Sequence, residues 1–97
     1  MKFEMVAQLA EGVNGMCFIS GSRDRGYLTV TVDGTPSEVG PDANPDTAPL
    51  RRDFQAQQFG VAVDFFTKPG WKSGSHVEVK CFEADGTFVD RASSFVV

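Results

Sequence analysis

The sequence has 97 residues, of which 41% are hydrophobic and 23% are charged, and these values are typical of one globular domain. Nine Lys and Arg residues are outnumbered by thirteen Asp and Glu residues, which gives a net charge of −4. A phosphate-binding surface needs clustered cations, so this balance disfavours nucleic-acid and anionic-membrane partners. No apolar run approaches the ~20 residues that a membrane helix requires.

The N-terminal residues bear on where the protein is made. Glu4 and Gln8 interrupt the apolar block that a signal peptide would need. We therefore expect cytoplasmic synthesis without a signal peptide. Strands are predicted from about Lys2 to about Val97, so we expect one complete domain over residues 1–97.

The C-terminal hairpin gives the clearest structural signal in the chain. Apolar and polar residues alternate from His76 to Phe82, which is the pattern of a β-strand with one buried face. Asp85-Gly86 then supplies the positive φ angles of a tight hairpin turn. A last strand is predicted to begin at Thr87.

The rest of the chain predicts further strands and one long loop. Alternation predicts strands over residues 2–9, 27–33 and 61–66, and the apolar run 16–19 predicts a central strand covered on both faces. Residues 50–58 fit a helix or an edge strand, and we favour the strand. The result is an all-β, two-sheet antiparallel sandwich of about seven strands.

Residues 34–49 are predicted to form a long loop rich in Pro and Asp, because they hold four of the five prolines. Asp42, Asn44 and Asp46 present oxygen ligands at alternating positions, as a calcium site needs. Thr47 stands where a calcium loop of the EF-hand type has glycine. Calcium binding and a solvated turn-rich loop both stay open, and the poor match favours the loop.

The strand pattern resembles an immunoglobulin-like or fibronectin-type β-sandwich. Cys17 lies in the second predicted strand and Cys81 in the penultimate one, where immunoglobulin domains place their inter-sheet pair. Trp71 lies far downstream of the position of the family's core Trp, and Val79 stands where the family has Tyr. The resemblance therefore extends to the sandwich class and not to antibody domains.

The residues that most often carry catalysis or bind zinc are scarce. Two cysteines and one histidine give no zinc spacing. Without a secretion signal, Cys17 and Cys81 are expected to be reduced, buried thiols. His76 is predicted on the outward face beside water, without the burial and partner that an activated site needs. We therefore expect no enzymatic activity.

Phenylalanine is the unusual feature of the composition, with nine residues. Phe66, Phe82 and Phe88 fall in the opposite phase to the core positions, so either loops cover them or they form a partner-binding surface. Four arginines lie in or beside loops, where they serve loop solvation or, if they converge on one edge, contact an acidic partner: Arg23, Arg25, Arg51 and Arg52. Of these, Arg23 and Arg25 are the predicted partner-binding residues.

These observations predict a non-catalytic protein-interaction or assembly module, such as a structural or decoration subunit of a virion. That last step is an analogy from fold. The alternative is a monomeric inhibitor or adaptor that binds a ligand or partner through residues 34–49, with calcium as the one cofactor considered.

Overall fold

The computed structural model describes residues 2–5, 9, 15–20, 25–37, 50–55, 61–65 and 72–97. Every regular element in these ranges is a β-strand, which confirms the predicted all-β class. In chain order the strands are β1 (Lys2–Met5), β2 (Gly15–Ser20), β3 (Arg25–Val32), β4 (Thr35–Ser37), β5 (Arg52–Gln55), β6 (Val61–Phe65), β7 (His76–Glu83) and β8 (Phe88–Phe95).

The strands form two antiparallel sheets, as predicted. The smaller sheet has the order β1-β2-β6. The larger sheet has the order β4-β3-β7-β8, and β5 pairs with the same edge of β3 as β4, nearer its start. One isolated parallel bridge joins Leu9 to Val96, and the Val97 N–H donates to the Leu9 carbonyl at 2.8 Å.

One hydrophobic core joins the inner faces of both sheets. Its members are buried side chains: Phe3, Leu9, Cys17, Ile19, Leu28, Val30, Val63, Val77, Val79, Cys81 and Val96. The set includes alternate residues at the centres of β3 and β7, because successive side chains of a strand point to opposite faces. Full burial of a Val or Leu side chain contributes roughly 1.5–3 kcal/mol, so this core is the main source of stability.

The burial of strand β2 differs from the prediction for residues 16–19. Its apolar run was expected to be covered on both faces, but only Cys17 and Ile19 are buried. Met16 is 38% exposed and Phe18 is half-buried. The strand is central in its sheet, yet among the described residues a covering layer packs on one face of that sheet only.

The two Asp-Gly turns of the described chain differ in geometry. In the turn between β3 and β4, Asp33 and Gly34 both have positive φ, at 51° and 85°, as a primed two-residue turn requires. In the turn between β7 and β8 only Gly86 does, at 93°, and its N–H donates to the Glu83 carbonyl at 2.9 Å. This second turn is therefore a type I turn followed by a glycine bulge, at the predicted position but not of the predicted type.

The long loop begins later than predicted. Thr35–Ser37 pairs with β3 as strand β4, so the prediction of a loop from residue 34 is wrong at its start, and residues 38–49 lie outside the described chain. Strand β4 brings the described strands to eight. Its Pro36 is tolerated because the strand lies at a sheet edge. Strand β5 confirms the interpretation of residues 50–58 as strand as far as Gln55.

Candidate protein-interaction face

The outer face of the larger sheet is formed by side chains in the opposite phase to the core. Tyr27 pairs with Phe82, and Leu28 pairs with Cys81 in the β3–β7 register. Leu28 and Cys81 are buried, whereas Tyr27 and Phe82 are half-buried. Alternation along the strands therefore directs Tyr27 and Phe82 away from the core, as the sequence predicts for Phe82.

Three aromatic rings form a continuous row across β3, β7 and β8. The Tyr27 and Phe82 rings stack with centroids 5.0 Å apart at an interplanar angle of 16°. The Phe82 and Phe88 rings meet edge to face with centroids 5.8 Å apart. Each such pair contributes about 0.5–1.5 kcal/mol beyond burial of its area. We call Tyr27, Phe82 and Phe88 the aromatic row, and its last member is 52% exposed.

A β-bulge brings Phe88 into the row. The β7–β8 register pairs Cys81 with Asp90 and then shifts, so that Phe82 pairs with Phe88. Regular pairing would have placed Val89 opposite Phe82. Val89 instead packs against the hydrophobic core, as a residue displaced by a bulge can.

A groove of about 540 Å³ lies beside the aromatic row, and Arg25, Tyr27, Arg51 and Phe54 are among the residues that line it. This volume falls within the roughly 300–1,000 Å³ of typical ligand pockets. The groove lies at the paired ends of β3 and β5, where Arg25 pairs with Gln55. Its lining combines two cationic groups with aromatic and amide groups and one carboxylate, that of Asp53.

Gly26 is required in the lining of the groove because its neighbours leave no room for a side chain. A Cβ at this position would collide with the backbone carbonyl oxygen of Phe82 and lie 2.9 Å from Cζ of Phe54. The missing Cβ lets the Phe54 ring pack closely over β3. Phe54 in turn packs against the hydrophobic core.

Arg51 is held over the end of the aromatic row by two contacts. Its guanidinium carbon lies 4.4 Å from the centroid of the Tyr27 ring, within cation–π range. Its Nε lies 3.0 Å from Oδ1 of Asp53, and both side chains are about one-third exposed, at 28% and 35%. The Tyr27 ring therefore has Arg51 and Phe82 as its neighbours on the sheet surface.

The outer face is more cationic than the chain as a whole. The outward-facing strand residues together with Arg51 comprise four cations and two carboxylates, a net charge of +2, against −4 for the whole chain. The cations are Arg25, Arg51, Lys80 and Arg91, and the carboxylates are Asp53 and Glu78. Asp33, in the turn at the far end of the face, is a further carboxylate. Glu78 lies 3.6 Å from Lys80 Nζ and 4.0 Å from Arg91 Nη1. Arg25 is exposed and makes no ion pair with another described residue.

The opposite end of this face carries the single histidine. The His76 and Phe95 rings lie 5.2 Å apart, and Phe95 is 62% exposed. The His76 N–H donates to Oδ1 of Asp33 at 2.9 Å, and the Asp33 N–H donates to the His76 carbonyl at 2.8 Å. The backbone of His76 thus joins β7 to the β3–β4 turn.

The two cysteines belong to the core and not to the outer face. Cys17 and Cys81 are buried thiols that form no disulfide with each other, and they lie on the inner faces of different sheets. Burial, with a further contribution from the neighbouring Cys81, raises the pKa of Cys17 to about 12. Cys17 Sγ lies 3.8 Å from the Met5 sulfur. A thiol with so high a pKa is a poor nucleophile at neutral pH.

The structure brings together three of the residues predicted to bind a partner. Phe82 and Phe88 are in contact, and Arg25 lines the groove beside them. Phe66 and Arg23 lie outside the described residues. Whether any of them binds a partner stays a prediction.

The predicted calcium ligands Asp42, Asn44 and Asp46 also lie outside the described residues. Within the described ranges, no group of three or more His, Cys, Asp or Glu residues is arranged to hold a metal ion.

Sequence reasoning missed Tyr27. Tyr27 carried a usable signal, since it alternates with Leu28 and so lies in the outward phase of β3. Arg51 is one of the arginines predicted to converge if they share an edge, and it lines the same groove as Arg25. Its position over Tyr27 could not be predicted, because it depends on the pairing of β5 with β3. That pairing joins segments separated by a long stretch of chain.

Comparison of the chain with protein-family models, with curated proteins and with solved structures finds no match. No helix in the part of the chain that the structure describes is long and apolar enough to cross a membrane. The functional proposal therefore rests on the geometry and charge of the outer face.

Proposed function

We propose that this protein acts through protein–protein contact, without catalysis of its own, using the outer face of its larger sheet. The observation that carries the proposal is the aromatic row, in which the 52% exposed Phe88 continues the half-buried Phe82 and Tyr27. A contiguous apolar patch on a soluble surface commonly marks a binding site, and aromatic residues are enriched in interfaces.

The face, and not the sheet edges, is the proposed contact surface. Strand β8 carries Asp90 and Arg91 and a bulge, and these features hinder the addition of a further strand. On the far side of the sheet, β4 is three residues long and contains Pro36. Both edges therefore have the devices that natural sheets use against edge-to-edge pairing.

We also propose that the sandwich is immunoglobulin-like. The strand orders β1-β2-β6 and β4-β3-β7-β8 support this, because the second strand of the chain is central in one sheet while the third and the penultimate pair in the other. Cys17 on β2 and Cys81 on β7 occupy the positions of that fold's inter-sheet pair.

The form of contact that we favour is that of a subunit in a larger assembly, such as a structural or decoration protein of a virion. The support is indirect: a small domain with a partly apolar outer face and protected sheet edges suits a role of packing against neighbouring proteins. The particular assembly is an analogy from fold.

The test compares Phe88→Ser with Met16→Ser in the native organism. Both residues are partly exposed apolar residues, but Met16 lies on the outer side of the smaller sheet, so it controls for lost surface hydrophobicity. Epitope-tagged chains are followed by size exclusion of cell extracts, and circular dichroism of the purified chains checks the fold.

We expect the original chain and Met16→Ser to elute in a complex larger than the 10.5 kDa single chain, and Phe88→Ser to elute as a single folded chain. Retention of Phe88→Ser in the complex would show that the aromatic row is not the contact surface.

A further inference from the structure

The charge of the outer face identifies the chemistry of its partner. The outward-facing strand residues and Arg51 carry a net charge of +2, while the whole chain carries −4. Two copies that met through this face would bring like charges together, which disfavours a symmetric contact. An acidic partner surface is complementary to it and would also be steered towards it during association.

The cationic groups are concentrated at the groove end of the aromatic row. Arg25 is exposed at the start of β3 and has no ion-pair partner among the described residues, so its charge is available to a ligand. Arg51 lies on the same groove and is fixed between Tyr27 and Asp53, at 4.4 Å and 3.0 Å. A guanidinium group binds a carboxylate through two parallel hydrogen bonds, which makes it the best side chain for this task.

The row itself offers apolar contact and not stacking sites for nucleic-acid bases. The Tyr27 ring is covered by Arg51 and by the near-parallel Phe82 ring, so it has no open face on which a base can stack. Phe88, which is 52% exposed, remains free to receive an apolar side chain.

We infer that the outer face binds an extended acidic segment of a partner protein, with a carboxylate in the groove at Arg25 and an apolar side chain against Phe88. This inference rests on the proposed function and specifies its partner. Strands β3 and β8 are separated by β7, so the segment crosses two strand spacings, roughly 10 Å. An extended chain covers that distance in about three or four residues.

The test is an NMR titration of the ¹⁵N-labelled protein with a synthetic hexapeptide that alternates Glu and Phe. A second hexapeptide has Gln in place of every Glu, and a thymidine oligonucleotide tests the nucleic-acid alternative. We expect the Glu peptide to shift the resonances of Arg25, Tyr27, Phe54 and Phe88, and to bind at least about tenfold more tightly than the Gln peptide, because charged hydrogen bonds are lost. Added salt should weaken binding of the Glu peptide and leave binding of the Gln peptide unchanged.

Two variants test whether a carboxylate of the Glu peptide binds at Arg25. Arg25→Gln should weaken binding of the Glu peptide about tenfold and leave the affinity for the Gln peptide unchanged. Lys72→Gln, which removes an exposed cation from the other end of the larger sheet, should change neither affinity.

Three results would overturn the inference. If both peptides bind the aromatic row equally, the row is an apolar contact and the proposed function stands without an acidic partner. If neither peptide shifts these resonances, the segment does not bind here. If the oligonucleotide binds more tightly than the Glu peptide, the partner belongs to another class. Failure of the proposed function itself would appear separately, as retention of Phe88→Ser in the cellular complex.

Discussion

The two faces of the larger sheet carry different kinds of side chain although they are built from the same strands. On the inner face Leu28, Val79 and Cys81 are buried and contact other apolar groups in a single core. On the outer face Tyr27 and Phe82 are half-buried and are bordered by arginine and carboxylate groups. The inner face therefore accounts for most of the stability, while the outer face leaves aromatic and charged groups accessible to solvent.

The difference shows why a high aromatic content need not mean a large core. None of the three rings of the aromatic row belongs to the buried core of the described residues, which is made chiefly of Val, Leu, Ile and Cys. Rings that partly cover one another on a surface gain some stability from stacking but still leave Phe88 half exposed. Such an arrangement retains apolar area for a partner.

The largest expected effect is on the inner face. Leu28→Ala should lower the free energy of unfolding by about 2–5 kcal/mol, because the fully buried side chain leaves a cavity in the core. Thr29→Ala, one residue away on the outer face, should change it by no more than about 0.5 kcal/mol. Urea unfolding of the two variants measures both values. Equal losses would contradict the assignment of the two faces.

A smaller effect is expected from the ionisation of Cys17. Burial raises its pKa from 9.0 to about 12, so between these values the thiol stays protonated in the folded state and ionises in the unfolded state. The unfolded state then binds fewer protons, and stability falls as pH rises, by about 1.4 kcal/mol per pH unit for this group. Below pH 9.0 both states keep the proton and the group has no effect.

The measurement is the free energy of unfolding, determined by urea from pH 8 to pH 10.5 in the original chain and in Cys17→Ala. The alanine variant is less stable at every pH but should show a shallower decline above pH 9.0, since other groups alone remain to titrate. Parallel declines in the two proteins would mean that the thiol is not shielded from water in the folded state.

Much of the sheet follows from the sequence, because period-two alternation fixes both the strand and its buried face. The alternation along β7 predicts that Val77, Val79 and Cys81 enter the core and that Phe82 does not, as the structure has it. Strand β4 was missed because its three residues, which include Pro36, bury little and hold their place only by pairing with β3.

The candidate site is harder to predict, because it depends on registers and not on local pattern. Phe82 and Phe88 face outward by phase, but their contact requires the shift that skips Val89, and alternation alone does not specify that shift. The groove needs β5 beside β3, with Gly26 admitting the Phe54 ring. No spacing in the sequence specifies that pairing.

The most direct test of the outer face as a protein-contact surface is site-specific photo-crosslinking in the native organism. A benzoylphenylalanine placed at position 88 is compared with one at position 16, on the outer side of the smaller sheet. We predict a discrete crosslinked product from position 88 and little from position 16, and the added mass tells a second 10.5 kDa copy from a different protein. Equal crosslinking from both positions, or none from position 88, would contradict the account.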